Sequence, residues 1–135
     1  EDPLNARYAN PLVAAPTRPL PRHVAIIGAG SIGPDIGYYL KSALPAIELT
    51  LVDVAQAPVD AALKRLSDYA QKAVARGRMS ADESAAVMRG VRGTVDYDAI
   101  RGCDWVIEAA TENLALKRRI FAEVEARVAD DAIVT

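Results

Sequence analysis

The sequence has little of several residue types. Its 135 residues include one cysteine and one histidine, and its formal net charge is −2. A lone cysteine excludes an internal disulfide, and a single histidine leaves no Cys/His cluster for zinc, so we expect no metal site. The slight acidic excess argues against nucleic-acid binding. No apolar run approaches the roughly 20 residues of a membrane helix, and the N-terminus shows no export-signal pattern. We therefore expect a cytoplasmic protein that binds small molecules.

The composition of the chain changes at residue 23. Residues 1–22 hold five of the eight prolines and no regular apolar period, which predicts a proline-rich arm or linker. Residues 23–135 alternate short apolar runs with helical patterns, as parallel strands joined by crossover helices do. This order predicts an α/β domain of the Rossmann type, a doubly wound parallel sheet covered on both faces. Its predicted strands are Val24–Ile27, Leu49–Asp53, Val91–Val95, Trp105–Glu108 and Ala132–Thr135.

A helical hairpin is predicted between strands two and three. Residues 54–90 are far more than the dozen or so that a plain crossover needs. Apolar residues at steps of three and four fill the first part and stop at Gly77. Ser80 and Glu83 then form the S-x-x-E pattern that begins a second helix, which we expect to end near Arg89.

Two further helices are predicted to flank the sheet. Ser31–Lys41 follows strand one and has Pro34 in its first turn, where the amides have no intrahelical partner. Leu114–Val128 follows strand four. Its apolar face, expected to lie against the sheet, consists of Leu116, Ile120, Phe121, Val124 and Val128.

The loop after strand one carries the pattern G-x-G-x-x-G. Gly28 permits a tight turn, Gly30 lets the backbone approach a diphosphate, and Gly33 lets the helix pack closely on the strand. The helix N-terminus, with Ser31 and Ile32, is expected to present its amides to the phosphate oxygens. The pattern alone is weak, but its place between a strand and a helix favours a dinucleotide site.

Asp53 ends the second predicted strand, twenty residues after the last glycine of the loop. Its carboxylate accepts hydrogen bonds from the hydroxyls of an adenosine ribose and repels a 2′-phosphate, and Val54 after it offers no cation to bind one. The spacing therefore favours NAD over NADP as the cofactor. The alternative is an aspartate that only caps a helix or a turn.

Four stretches carry a resemblance to a known family: HVAIIGAGSIG, LTLVDV, RGRMSADE and, above all, DWVIEAATENLALKRRIFAEV at residues 104–124. From residue 23 to residue 135 the sequence resembles the NAD-binding domain of the L-3-hydroxyacyl-CoA dehydrogenases. The resemblance implies oxidation of the 3-hydroxyl of an acyl-CoA substrate to a ketone by hydride transfer to NAD⁺, as in fatty-acid β-oxidation. It also implies that residues 108–112, which include Glu108 and Ala109, pass beneath the cofactor, and that Glu112 and Lys117 lie near its ribose and nicotinamide end.

The resemblance gives the helical hairpin a role, because the family uses it to contact coenzyme A. Arg65, Lys72 and Arg76 share one side of the first hairpin helix and are expected to bind CoA phosphates. A solvated charged face is the alternative for these three residues. The same kind of alternative is open for Lys117, as a solvated helix residue, and for Glu112, as a partner of the helix dipole.

The catalytic residues of the resembled family are not found in this sequence. The family uses a histidine paired with a glutamate as general base, whereas the one histidine here, His23, stands at the entry to strand one. We therefore assign no catalytic residue and expect the chain alone to be inactive, as a piece of a longer enzyme that lacks its C-terminal helical domain. Apolar surface that this domain leaves uncovered is expected to favour self-association.

Two other interpretations remain open. A related dehydrogenase of a small hydroxy acid or of carnitine would share this cofactor domain, and a non-catalytic module would bind NAD without turnover. The sequence also departs from the family at Pro34 and Asp35, where small residues usually follow the third glycine. At these two residues it is open whether the first helix fits the fold as it does in the family.

Overall fold

The computed structural model describes residues 18–135. Five parallel strands form one sheet in the order β3-β2-β1-β4-β5. The strand order reverses beside β1, which is the doubly wound arrangement, and the Rossmann-type prediction is confirmed. The strands are β1 (His23–Ile27), β2 (Glu48–Val52), β3 (Val91–Thr94), β4 (Trp105–Glu108) and β5 (Ile133–Val134).

Four α-helices connect the strands: α1 (Gly33–Ala43), α2 (Gln56–Ala75), α3 (Ala81–Met88) and α4 (Leu114–Glu125). The hairpin of α2 and α3 lies between β2 and β3 as predicted, and Ser80 and Glu83 form both hydrogen bonds of the capping box.

Three predicted helix limits are wrong, one of them the end of the first helix, which is Ala43 rather than Lys41. The first helix begins at Gly33 rather than Ser31. Pro34 takes one of the first two helical positions, where a backbone amide has no intrahelical acceptor and a proline is therefore tolerated. The last helix ends at Glu125, but Val128 in the following turn still packs on the sheet. The apolar spacing therefore continued past the end of the helix.

The apolar core lies on both faces of the sheet because the side chains of β1 alternate. Val24 and Ile26 pack on one face with α2, through Val59 and Leu66. Ala25 and Ile27 pack on the other face with α4, through Ile120 and Val124. The predicted apolar face of α4 is wrong for Leu116, which is 39% exposed. That residue lies in the first turn of α4, near the carboxyl edge of the sheet.

The end of the predicted arm lies along the opposite, amino edge of the sheet. The amides of Arg22 and His23 donate to the carboxylate of Asp104 at 2.9 and 3.3 Å, and Arg18 donates to the backbone oxygen of Asp131. The rest of that arm, residues 1–17, lies outside the described residues. Within residues 18–135, no helix combines the length and the apolar character needed to span a bilayer.

Candidate functional site

Gly28 forms the turn at the carboxyl edge of the sheet, where β1, β2 and β4 end at one level. Ile27 is the register partner of both Val52 and Glu108. Gly28 has φ +111°, and its amide donates to the oxygen of Val52 at 2.7 Å. A Cβ there would lie 2.7 Å from the backbone of Ala109 and Ala110. Only glycine fits, so the turn holds β1 and β4 close together.

The other two glycines of the loop differ in what surrounds them. A Cβ on Gly33 would lie 1.9 Å from the carbonyl oxygen of Gly28, so this glycine is needed for the packing of α1. A Cβ on Gly30 would meet nothing within 4 Å. The space beside Gly30 is open, and the N-terminus of α1 has no side-chain cap, so its amides are available to an anion. These features fit the diphosphate of a dinucleotide.

Asp53 lies beside this loop and is half-buried. Its Oδ2 accepts the amide of Ala29 at 2.9 Å, and its Oδ1 accepts the amide of Val54 at 2.7 Å. Oδ1 also accepts the amide of Ala55 at 3.4 Å, whereas Oδ2 has a second lone pair for a ribose hydroxyl. Asp53 therefore holds the glycine loop and also faces the position predicted for the adenosine ribose.

Glu108 at the end of β4 is the most buried carboxylate of the site, with its side chain 4% exposed. It accepts the amides of Ala110 and Thr111 at 2.8 and 3.1 Å and the Lys117 ammonium at 2.8 Å. Burial raises the pKa of Glu108, but the bonds from Lys117 and the two amides outweigh it, and the pKa lies below its ordinary value. The same contact raises the pKa of Lys117. Both groups are therefore charged at neutral pH.

Two cavities, both of which Ala110 lines, form a crevice at the carboxyl edge of the sheet. One, of about 490 Å³, contains predicted cofactor residues, and the other, of about 370 Å³, includes Asp53. The first is lined by Gly30, Ser31, Ile32, Ile36, Glu108, Ala109, Ala110, Thr111, Glu112 and Lys117. The second is lined by Ile27, Gly28, Asp53, Val54, Tyr97, Ala110, Leu116, Arg119, Ile120 and Glu123. Eight of the nine predicted cofactor residues therefore line these two cavities, at the switch point of the sheet, and Gly33 is the exception.

A third cavity, of about 620 Å³, is a groove between α1 and the hairpin. Lys72 and Arg76, both predicted to bind CoA, line it, whereas Arg65 does not. The Arg65 guanidinium instead contacts Asp35 and Tyr69. Within residues 18–135, no group of three or more His, Cys, Asp or Glu side chains is placed to hold a metal ion.

Several site residues were missed by sequence reasoning. Glu108 was expected to pass beneath the cofactor, but its ion pair with Lys117 was not predicted. Tyr97, Leu116 and Arg119 at the second cavity and Arg78 at the groove were not predicted as site residues. A usable signal existed for Tyr97, because residues shortly after a parallel strand lie at the binding edge of the sheet. The position of Arg119 at the second cavity depends on the orientation of α4, which the sequence does not specify.

The profile of the family described as 3-hydroxyacyl-CoA dehydrogenase, NAD binding domain, matches residues 23–135. The chain belongs to this family. The predicted resemblance and the predicted cofactor, NAD, are thereby confirmed.

One curated protein and two solved structures illustrate what this chain is similar to. The fatty acid oxidation complex subunit alpha of Colwellia psychrerythraea (strain 34H) is 34% identical over 111 residues, which cover 82% of this chain and 15% of the relative. The solved (S)-3-hydroxybutyryl-CoA dehydrogenase of Ralstonia eutropha is 26% identical, with a TM-score of 0.79, over 85% of this chain and 40% of that one. The NAD⁺-dependent dismutase 5-formyl-3-hydroxy-2-methylpyridine 4-carboxylic acid 5-dehydrogenase is 32% identical, with a TM-score of 0.64, over 85% and 36%. This chain thus spans less than half the length of each.

Replacing Asp53 by asparagine tests its role at the ribose. The amide nitrogen of asparagine cannot accept the loop amide, and the negative charge that opposes a 2′-phosphate is lost. We expect NADH affinity to fall about tenfold, the effect of roughly 1.4 kcal/mol, and the preference for NADH over NADPH to shrink. Fluorescence titrations with both dinucleotides measure this ratio. An unchanged ratio would indicate that Asp53 serves the loop alone.

Proposed function

We propose that this chain is the cofactor-binding part of an enzyme that oxidises 3-hydroxyacyl-CoA to 3-ketoacyl-CoA. NAD, when bound, supplies the hydride acceptor. The glycine loop binds its diphosphate, Asp53 binds its adenosine ribose, and Glu112 and Lys117 line the cavity toward the nicotinamide end. The observation that carries the proposal is the basic groove of the hairpin, close to this crevice and large enough for an extended ligand.

The groove is the proposed binding site for coenzyme A. Lys72, Arg76 and Arg78 line it together, and cations suit the phosphate groups of CoA. Tyr38 and Tyr69 also line it, with ring centroids 5.3 Å apart, and supply aromatic surface for the rest of the ligand. In this proposal Lys72 and Arg76 keep their predicted role, and Arg78 joins them in place of Arg65.

The general base of the reaction is assigned to a part of the whole protein outside this chain. His23 is the first residue of β1, and the crevice lies beyond the last residue of the same strand. Five residues of strand separate the two by roughly 13 Å or more. His23 is therefore too far from the crevice to take a proton from the substrate hydroxyl.

The same edge of the sheet is the proposed contact for the helical domain of the family. Five of the eight large apolar side chains exposed in residues 18–135 follow the carboxyl ends of strands β1 to β4. They are Ile32, Val54, Val95, Leu114 and Leu116. Without that domain, this surface favours the self-association predicted above.

Titration calorimetry with CoA on the NADH-saturated chain tests the proposed function. Removing two cations by Lys72→Ala with Arg76→Ala is expected to weaken CoA binding at least tenfold, because each cation contributes a charge-assisted contact. Lys64→Ala is the matched control: Lys64 lies on the same helix, is 76% exposed and pairs with Asp68 outside the groove. Equal losses in both variants would remove the groove from the proposal.

A dehydrogenase of a small hydroxy acid is the second candidate, favoured by the 32% identity to the pyridine carboxylic acid dehydrogenase. In that case NADH binds and CoA does not. A non-catalytic NAD module is the third candidate, and a turnover assay on the whole protein beside this chain distinguishes it. Turnover of 3-hydroxyacyl-CoA by the whole protein, with no turnover by this chain, supports the proposed enzyme.

A further inference from the structure

Asp35 connects the cofactor helix α1 to the hairpin helix α2. Its carboxylate accepts the hydroxyl of Tyr69 at 2.8 Å and the guanidinium of Arg65 at 3.2 Å. The Nε of Arg65 also donates to the Tyr69 hydroxyl at 2.8 Å. The three side chains thus form one bridge between the first turn of α1 and the middle of α2.

The bridge lies at one end of the basic groove. Asp35 lies two residues after Gly33, and so this end adjoins the glycine loop of the cofactor site. On α2 the groove runs from Tyr69 to Arg76, seven residues or about 10 Å farther along the helix. Arg78 follows in the turn of the hairpin. The groove therefore has a cofactor-side end and a hairpin-turn end.

The two ends differ in charge. At the cofactor-side end Asp35 is the only carboxylate among the lining residues, and it pairs with Arg65. At the hairpin-turn end Lys72, Arg76 and Arg78 have no salt-bridge partner among residues 18–135. Without Asp35, the Arg65 guanidinium would offer a fourth cation beside the cofactor site. Phosphate groups would then find attractive positions at both ends.

We propose that Asp35 is a specificity-determining residue that fixes the direction of an acyl-CoA in the groove. It occupies Arg65 and repels phosphate from the cofactor-side end, so the phosphates bind at the hairpin-turn end and the uncharged pantetheine arm lies toward the cofactor. The carboxylate also accepts hydrogen bonds from the amides and hydroxyl of that arm. This inference rests on the proposed function of the groove.

The test compares CoA with pantetheine, its uncharged arm, by calorimetry on the NADH-saturated chain. Asp35→Asn retains an acceptor for Tyr69 and removes the charge. We expect it to tighten CoA binding about three- to tenfold, the effect of removing one repulsive charge at partly solvated distances, while pantetheine binding does not tighten. Part of the gain comes from the freed Arg65 guanidinium: Arg65→Gln is expected to reduce the gain in the Asp35→Asn background and to change the wild type less than twofold. Asp35→Ala is the second variant, with the same pattern expected.

Asp68→Asn is the matched control, because Asp68 is a carboxylate on α2 that pairs with Lys64 outside the groove. It should leave CoA affinity unchanged. The inference is overturned if Asp35→Asn leaves CoA binding as it was, tightens both ligands equally, or gives the same gain with and without Arg65. A wild-type chain that binds NADH but no CoA overturns the proposed function as well.

Discussion

Gly30→Val is expected to abolish NADH binding while the domain stays folded. The backbone at Gly30 is outside the left-handed region, and a Cβ there meets no protein atom within 4 Å. The valine side chain is therefore tolerated by the protein, but it occupies the space in which the diphosphate approaches the backbone. We expect the dissociation constant for NADH to rise at least about 100-fold, or 2.7 kcal/mol. The melting temperature should change by no more than about 2 °C.

Fluorescence of Trp105, the one tryptophan of the chain, reports NADH binding, and thermal unfolding reports the fold. Gly33→Ala is the matched comparison, because it adds a single methyl group to another glycine of the same loop. Its Cβ would lie 1.9 Å from the Gly28 carbonyl oxygen, an overlap with backbone that no side-chain rotation relieves. We expect it to lower the free energy of unfolding by about 3 kcal/mol or more.

The two glycine variants separate the two roles of the loop. Loss of NADH binding with an intact fold in Gly30→Val, beside loss of stability in Gly33→Ala, is the pattern that the geometry predicts. If Gly30→Val bound NADH as tightly as the wild type, the diphosphate would have to lie elsewhere. The dinucleotide crevice would then lose its central contact.

The fold was predictable because its signals are local. Alternating strands and helices differ in apolar period, and the capping box at Ser80 and Glu83 is complete within four residues. The hairpin between β2 and β3 followed from segment length and from these periods. Apart from Leu116 on the predicted face of α4, the main errors were at helix ends, as at Ser31 and in the turn at Val128.

The candidate site was predictable only where its residues stand at a fixed spacing in the sequence. The glycine loop and Asp53 are separated by a constant stretch of chain, and parallel strands bring them together. The bridge between Asp35 and Arg65 joins residues 30 apart on two helices, and no sequence period relates them. Arg65 therefore looked equivalent to Lys72 and Arg76, although it is engaged by a carboxylate.

Lys41 was the least predictable residue, because a lysine in the last turn of a helix usually serves the helix dipole from solvent. Here its side chain is fully buried. Its ammonium donates to the backbone oxygens of Pro45, Ile47 and Arg89 at 2.5, 2.8 and 2.6 Å. These acceptors lie in the loop before β2, near the start of β2 and at the end of α3. One ammonium, with three donors, thus joins three segments.

Lys41→Met is expected to lower the free energy of unfolding by about 2–4 kcal/mol. Methionine retains much of the apolar stem but leaves three backbone oxygens, all buried or partly buried, without their donor. For a domain of this size the melting temperature should fall by about 8–15 °C. Thermal melting and urea unfolding measure the loss. NADH affinity should stay within about twofold at a temperature where the variant is folded, because Lys41 lines neither cavity of the crevice.

Lys64→Met is the control for the buried ammonium, since it makes the same chemical change at a lysine that is 76% exposed. An exposed pair with Asp68 contributes little, so we expect a change within about 0.5 kcal/mol. A Lys41→Met variant as stable as Lys64→Met would mean that water or a shifted backbone satisfies the three oxygens. The burial of Lys41 would then be an effect of packing, and the ammonium would not hold α1, the loop before β2 and the end of α3 together.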